Sequence, residues 1–114
     1  MRRDAVYLID IIEAAKLVMS YVTEKSKEDF LADSQCQDAV IRRLEIIGEA
    51  ARRISEEIRI QHASIPWKSM MGMRNLMIHE YDGVDLSVVW ETVQKDLPVL
   101  MAKVEKILAA IGGK

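Results

Sequence analysis

Apolar residues return along this 114-residue chain at intervals of three and four. Cys36, Val40, Leu44, Ile47, Ala51, Ile54 and Ile58 are spaced 4-4-3-4-3-4. Leu86, Trp90, Val93, Leu97, Leu100, Val104, Ile107 and Ile111 are spaced 4-3-4-3-4-3-4. Such spacing puts one apolar stripe on an α-helix of 3.6 residues per turn and scatters it on a strand. Strand-like alternation is absent over any useful length. The chain is therefore expected to be all-α, an up-and-down bundle of four to five helices in a single domain over residues 1–114.

Local punctuation sets the expected boundaries. A first helix runs from about Asp4 to Thr23, with Ala5, Leu8, Ile12, Ala15, Met19 and Val22 on one stripe. Ile9, Ile11 and Val18 widen that stripe, which implies burial on more than one side. A loop with a short turn at Lys27–Leu31 follows, and Asp33 or Ser34 caps a second helix of about Gln35 to Ile60. Gly48 interrupts that helix, at a cost of about 0.5–1 kcal/mol relative to Ala, which a close helix approach would justify. Glu49/Arg53, Arg52/Glu56 and Arg53/Glu57 are four apart on its outer side and are read mainly as a solvated face. Pro66 suits the first turn of a third helix that ends near Tyr81-Asp82-Gly83. Asp85 caps the last helical region, and Pro98 inside its seam predicts a kink or brief break there.

Composition narrows the function classes. Hydrophobic residues make up 50% and charged residues 30%, which suits a folded domain with a real core and fits neither a disordered chain nor a membrane protein. No uncharged run approaches the length of a membrane span, and no secretory leader is evident. The net charge is −2, so bulk charge supplies no general attraction to nucleic acid. One cysteine, Cys36, rules out an internal disulfide and a multi-cysteine zinc site, and fits a reduced, cytoplasmic setting. There is no glycine-rich phosphate loop and no metal-ligand spacing, so neither cofactor nor metal is expected. Cys36 lies on an apolar stripe and reads as a core filler; His62 lies in a polar loop and reads as a surface residue.

The other histidine sits in a richer segment, Met70-Met71-Gly72-Met73-Arg74-Asn75-Leu76-Met77-Ile78-His79-Glu80-Tyr81, which holds four of the seven methionines. On an ideal helix Arg74 and His79 are about 140° apart, whereas Arg74 and Tyr81 share a face. For Arg74 and His79 to serve one site, the helix must loosen near His79 or two copies must meet across an interface. Glu45 and Glu49, one turn apart beside Gly48, could orient Arg74 or simply face solvent.

Nearly the whole chain resembles the HepT-like group of HEPN-domain proteins, the toxin halves of HepT–MntA toxin–antitoxin pairs. The resemblance rests on Tyr7-Leu8-Ile9-Asp10-Ile11, on Ala39 through Ala51 with Arg42, Arg43, Glu45, Gly48 and Glu49, and on Ile65-Pro66-Trp67. It continues through Met73-Arg74-Asn75 and His79-Glu80-Tyr81 to Val89-Trp90 and Asp96-Leu97-Pro98. The group's Arg-x4-His-x-Tyr signature stands intact at Arg74, His79 and Tyr81.

The resemblance implies the HEPN fold and a homodimer in which two signature segments face each other across a cleft. It implies a metal-independent endoribonuclease with Arg74 and His79 as the catalytic pair and Asn75 in support. It also implies a type VII-like toxin neutralised when an MntA-like nucleotidyltransferase antitoxin attaches AMP to Tyr81. Nearby Arg42, Arg43 or Lys68 would help attract RNA. An inert helical dimer that binds, and is modified by, such a transferase is the alternative, and a purely structural dimer is a third reading.

Overall fold

A computed structural model describes residues 2–72 and 85–112. The described residues are helical, with no strand among them. Helix α1 spans Arg2–Val22, α2 Lys27–Leu31, α3 Ser34–Arg53 and α4 Glu56–Gln61. A helix α5 opens over residues 67–72. Helix α6 spans Leu86–Glu91, and a π-helical turn at Thr92–Asp96 joins it to α7, Leu97–Gly112. This is the all-α bundle expected, with extra segments because the Lys27–Leu31 turn is a helix and the second expected helix is broken in two.

Helix α1 packs against both α3 and α7. Its buried residues, Leu8, Ile11, Ile12, Ala14, Ala15, Val18 and Val22, cover a broad arc, which is the two-sided burial that the widened stripe implies. Ile9 is a correction: it is 40% exposed, beside Val6 at 52%. The stripe of α3 and the seam of α6–α7 are buried as their spacing requires, from Cys36 to Ile54 and from Trp90 to Ile107. Chain entry into α2, α3, α4 and α6 is set by local acceptors. Ser26 forms a reciprocal capping box with Asp29, and Asp33 accepts from the Cys36 N–H at 3.0 Å. Glu24 takes up a left-handed turn (φ 64°) after α1.

Two expected boundaries move. The helix drawn from Gln35 to Ile60 ends at Arg53, because Ile54 is extended (ψ 139°) and Ser55 starts α4 as its N-cap. Asp4, 4% exposed in the first turn of α1, draws Ser55 out of helical register: its carboxylate accepts from the Ser55 N–H and from the Ser55 hydroxyl, each at 2.8 Å. The break takes Glu56 and Glu57 out of the four-residue spacing with Arg52 and Arg53. The Glu49–Arg53 pair, wholly within α3, does form, at 3.4 Å.

The disturbance expected at Pro98 lies upstream of it. Pro98 is already inside α7, and the irregularity is the widened turn Thr92–Asp96, closed by the Leu97 N–H donating to the Thr92 carbonyl. Proline has no N–H for the carbonyl four residues back, and its ring crowds that carbonyl in a regular helix. Widening the preceding turn relieves the crowding without ending the helix. Pro66 likewise stands one residue ahead of α5, where its carbonyl accepts the Met70 N–H at 3.0 Å.

Candidate functional site

Arg74, Asn75, His79 and Tyr81 all lie outside the described residues, as does the expected helix end at Tyr81-Asp82-Gly83. The structure describes what holds the two ends of that segment. On the N-terminal side, Ile65, Trp67 and Met70 are buried, and the Trp67 indole N–H donates to the His62 carbonyl at 3.0 Å. On the C-terminal side, Asp85 caps α6 by accepting from the Ser87 and Val88 N–H groups at 3.0 and 3.3 Å. One turn later Trp90 packs on Phe30 of α2, with ring centroids 5.4 Å apart and planes tilted by 37°. The described chain on either side of the candidate segment is thus anchored in the core by Trp67, Met70 and Trp90.

Gly72 is half-buried, and a Cβ added there would meet nothing within 4 Å among the described residues. A cleft of about 210 Å³ is lined by Ser69 and Gly72 together with Val88, Thr92 and Asp96. The π-helical turn therefore faces the start of the candidate segment.

A second groove, of about 430 Å³, lies between α1 and α3 and is lined by Tyr7, Asp10, Arg42, Glu45, Glu49 and Arg53 among others. Arg42 donates to Glu45 at 2.9 Å, and Arg53 to Glu49 at 3.4 Å. The Tyr7 hydroxyl, and after it Glu49, hold the Arg53 guanidinium more firmly charged than usual. Glu45 and Glu49 thus line a groove of alternating charge. Of the basic residues proposed as helpers, Arg42 is paired with Glu45, Arg43 is half-buried and Lys68 is exposed.

The bland readings of two candidate nucleophiles or bases agree with the structure. Cys36 is 8% exposed, desolvation pushes its thiol pKa up, and its S–H points at the Tyr21 carbonyl at 3.7 Å. That is a core thiol rather than an activated one. His62 caps the end of α4, and its backbone carbonyl serves Trp67 and Ile65. Among the described residues, no three His, Cys, Asp or Glu side chains gather as a metal site would need. No described helix is long and apolar enough to cross a membrane.

Two residues escaped the sequence reading. Asp4 is the one acid in the first turn of α1, and only Ser55-Glu56-Glu57, a serine followed by acids, hints at a helix start there. Arg59 carries no signal in the sequence beyond its charge within the expected second helix. It is half-buried, and its guanidinium reaches α5, where it donates to the Met71 sulfur at 3.6 Å.

Comparison with known proteins places the chain. A family model described as "Ribonuclease HepT-like" matches residues 11–107. A probable ribonuclease HepT of Thermococcus cleftensis is 48% identical over 101 residues, covering 89% of this chain and 92% of that protein. A Methanocaldococcus jannaschii protein, whose name couples gamma-glutamylcyclotransferase with a candidate RNase, is 44% identical over 109 residues. That alignment covers 95% of this chain but only 49% of the relative. A candidate RNase of Caldanaerobacter subterraneus is 40% identical over 108 residues, covering 95% and 96% of the two chains. No solved structure matches. With a family match running through almost all of the bundle and relatives of this similarity, the chain belongs to the HepT-like ribonuclease family.

Proposed function

We propose that the chain is a metal-independent endoribonuclease acting as the toxin of a toxin–antitoxin pair, with Arg74 and His79 as its catalytic residues. The observation that carries this reading is the intact Arg74-x4-His79-x-Tyr81 element inside the matched residues 11–107. RNA brings its own nucleophile, the 2′-OH beside the scissile phosphate. Imidazole can both take and give a proton near neutral pH, so His79 suits taking the 2′-OH proton and giving a proton to the departing 5′-oxygen. Arg74 offers paired donors to the phosphate oxygens as charge builds in the transition state, and Asn75 supports it. The 2′-oxygen bonds to phosphorus, the bond from phosphorus to the 5′-oxygen breaks, and the products are a 2′,3′-cyclic phosphate and a 5′-hydroxyl end.

In this reading two copies assemble so that each Arg74–Tyr81 element faces its twin across a cleft. Tyr81 is the regulatory residue. A partner nucleotidyltransferase attaches AMP to its hydroxyl, and the bulky anion two residues from His79 blocks the phosphate path and repels the RNA backbone. Purified protein is expected to cut RNA in excess EDTA and His79→Ala to lose that cutting. Equal cutting by both defeats the assignment. Intact mass after co-expression with the cognate transferase tests the regulation, and an unmodified Tyr81 in neutralised cells rejects it.

A further inference from the structure

Two grooves meet along α7. One, of about 370 Å³, is lined by His62, Ser64, Ile65, Lys103, Lys106 and Ile107. The other, of about 440 Å³, shares Ser64 and Lys103 with it and continues to Ser69 and Lys95. Their walls differ from those of the groove between α1 and α3, where Glu45 and Glu49 stand among the arginines. Among the described residues no acid lines the first, and Asp96 is the one acid of the second. Lys103 and Lys106, three apart on α7, are neighbours on one face. No acidic residue stands three or four positions from either, so neither can pair along its own helix as Lys95 does with Glu91 at 3.2 Å. Instead, Lys103 Nζ donates to the Ser64 carbonyl at 3.4 Å, which holds its ammonium where the grooves join. The rim opposite α7 is fixed, because the His62 carbonyl accepts the Ile65 N–H at 3.1 Å and the Trp67 indole N–H at 3.0 Å. Ile65 and Ile107 are 3% and 2% exposed and already belong to the core, so the first groove presents charge and hydroxyl rather than apolar surface. Lys103 is half-buried and Lys106 exposed, which leaves the wall they form open to a ligand from solvent.

We propose that these grooves are a backbone track for single-stranded RNA, in which Lys103 and Lys106 each contact a phosphate and the Ser64 hydroxyl donates from the opposite rim. A lysine ammonium binds phosphate as a point charge, and hydroxyl groups donate to phosphate oxygens. Such contacts hold a strand without reading its bases. Among the described residues no arginine and no Trp, Tyr or Phe lines either groove, so the walls offer neither bidentate base contacts nor ring stacking. Lys95 and Lys106 are separated by about 16 Å of helix at 1.5 Å per residue, long enough for more than one phosphate of a strand. An acidic protein segment would also need apolar surface to anchor it, and the first groove keeps its two isoleucines in the core. A chain of net charge −2 then meets a polyanion through a local grouping of cations. The inference rests on the ribonuclease reading and adds binding residues to it, all of them outside the Arg74–Tyr81 element.

The test uses the full chain and a fluorescein-labelled 2′-O-methyl polyuridine oligonucleotide, which lacks the free 2′-OH and so reports binding without cleavage. Lys103→Gln together with Lys106→Gln should weaken binding roughly tenfold at low salt. The pair should also flatten the plot of log Kd against log salt by about 1.4, twice the slope of one phosphate contact to a single strand. Arginine at both positions should keep the slope. Lys16→Gln with Lys27→Gln removes the same charge from exposed positions on α1 and α2 and should leave the slope unchanged. An equal loss in that control reduces the effect to net charge and overturns the track. Parent-like Kd and slope in the Lys103/Lys106 variant overturn it too, and if that variant also loses a complex with the partner nucleotidyltransferase, the grooves belong to a protein. UMP at the phosphate concentration of the oligonucleotide should not displace it; displacement reduces the grooves to a mononucleotide pocket and rejects the track. Should the double variant fail to fold, Lys106→Gln alone should flatten the slope by about 0.7, and an unchanged slope is equally fatal. Cutting of unmodified RNA in EDTA is followed alongside, where the double variant should show a raised KM and the parent kcat. A parent that cuts RNA beside a variant that binds as well as the parent defeats this inference alone, whereas a parent that neither binds nor cuts removes the ribonuclease reading with it.

Discussion

Ser55 and Asp4, 51 residues apart in the chain, lock the start of α1 to the junction between α3 and α4. The Asp4 carboxylate accepts both the N–H and the hydroxyl of Ser55 at 2.8 Å, while the same hydroxyl accepts the Ile58 N–H at 3.3 Å as the cap of α4. One hydroxyl thereby serves a long-range contact and a helix end.

Replacing Asp4 tests that lock. Asp4 is 4% exposed, so Asp4→Ala leaves a shielded N–H and hydroxyl without their acceptor. Bonds to a charged acceptor are worth about 1.5–3 kcal/mol, and a loss of about 2–3 kcal/mol is expected. Urea unfolding followed by circular dichroism measures it, and an unshifted midpoint contradicts the lock.

Asp33 makes stability depend on acid. The Cys36 N–H, aided by Lys25, holds its carboxyl below the ordinary value of 3.8. A carboxylate whose folded pKa is depressed stabilises fully above its unfolded pKa, and that contribution disappears as pH falls through the folded value. Asp33→Asn should therefore be less stable than the parent at neutral pH, and the two should converge below the ordinary carboxylate range. Denaturant midpoints taken down the pH scale would show this. A gap that stays constant into acid would argue against it.

Phe30 couples α2 to α6. It is fully buried against Trp90, and Phe30→Ala should cost about 3–5 kcal/mol. Tryptophan fluorescence should red-shift, since one face of Trp90 loses its cover. A native-like spectrum and midpoint would show that the α6 anchor stands without Phe30.

Tyr81→Phe keeps the ring and removes the oxygen that AMP would join. After co-expression with the cognate nucleotidyltransferase, the parent chain should carry adenylyl mass and Tyr81→Phe should carry none at that position. Peptide mapping that finds the adduct retained on the variant would move the modification elsewhere.

Much of the bundle was legible because periodicity is a property of neighbours along one helix. The stripes of α3 and α7, a cap at Asp33 or Ser34 (Asp33 in the structure), the cap at Asp85 and the short turn at Lys27–Leu31 are all legible in local spacing. The misreadings came from contacts that spacing does not encode. Ile54 sits in perfect register with Ala51 and Ile58, yet the chain is extended there because a carboxylate from α1 claims Ser55. The Pro98 disturbance was foreseen, but not that the turn before it would absorb the strain.

The candidate site divides the same way. Arg74, Asn75, His79 and Tyr81 were named from a motif, which is a statement about order along the chain. Order alone said that this chain is a helical bundle and which short segment carries chemistry-bearing side chains, because helix formation and motifs are both local. Only the packed structure showed that Asp4 meets Ser55, that Phe30 meets Trp90, and that Glu45 and Glu49 line a groove between α1 and α3. Those are pairings between helices or within a groove, and they depend on which faces the buried stripes bring together.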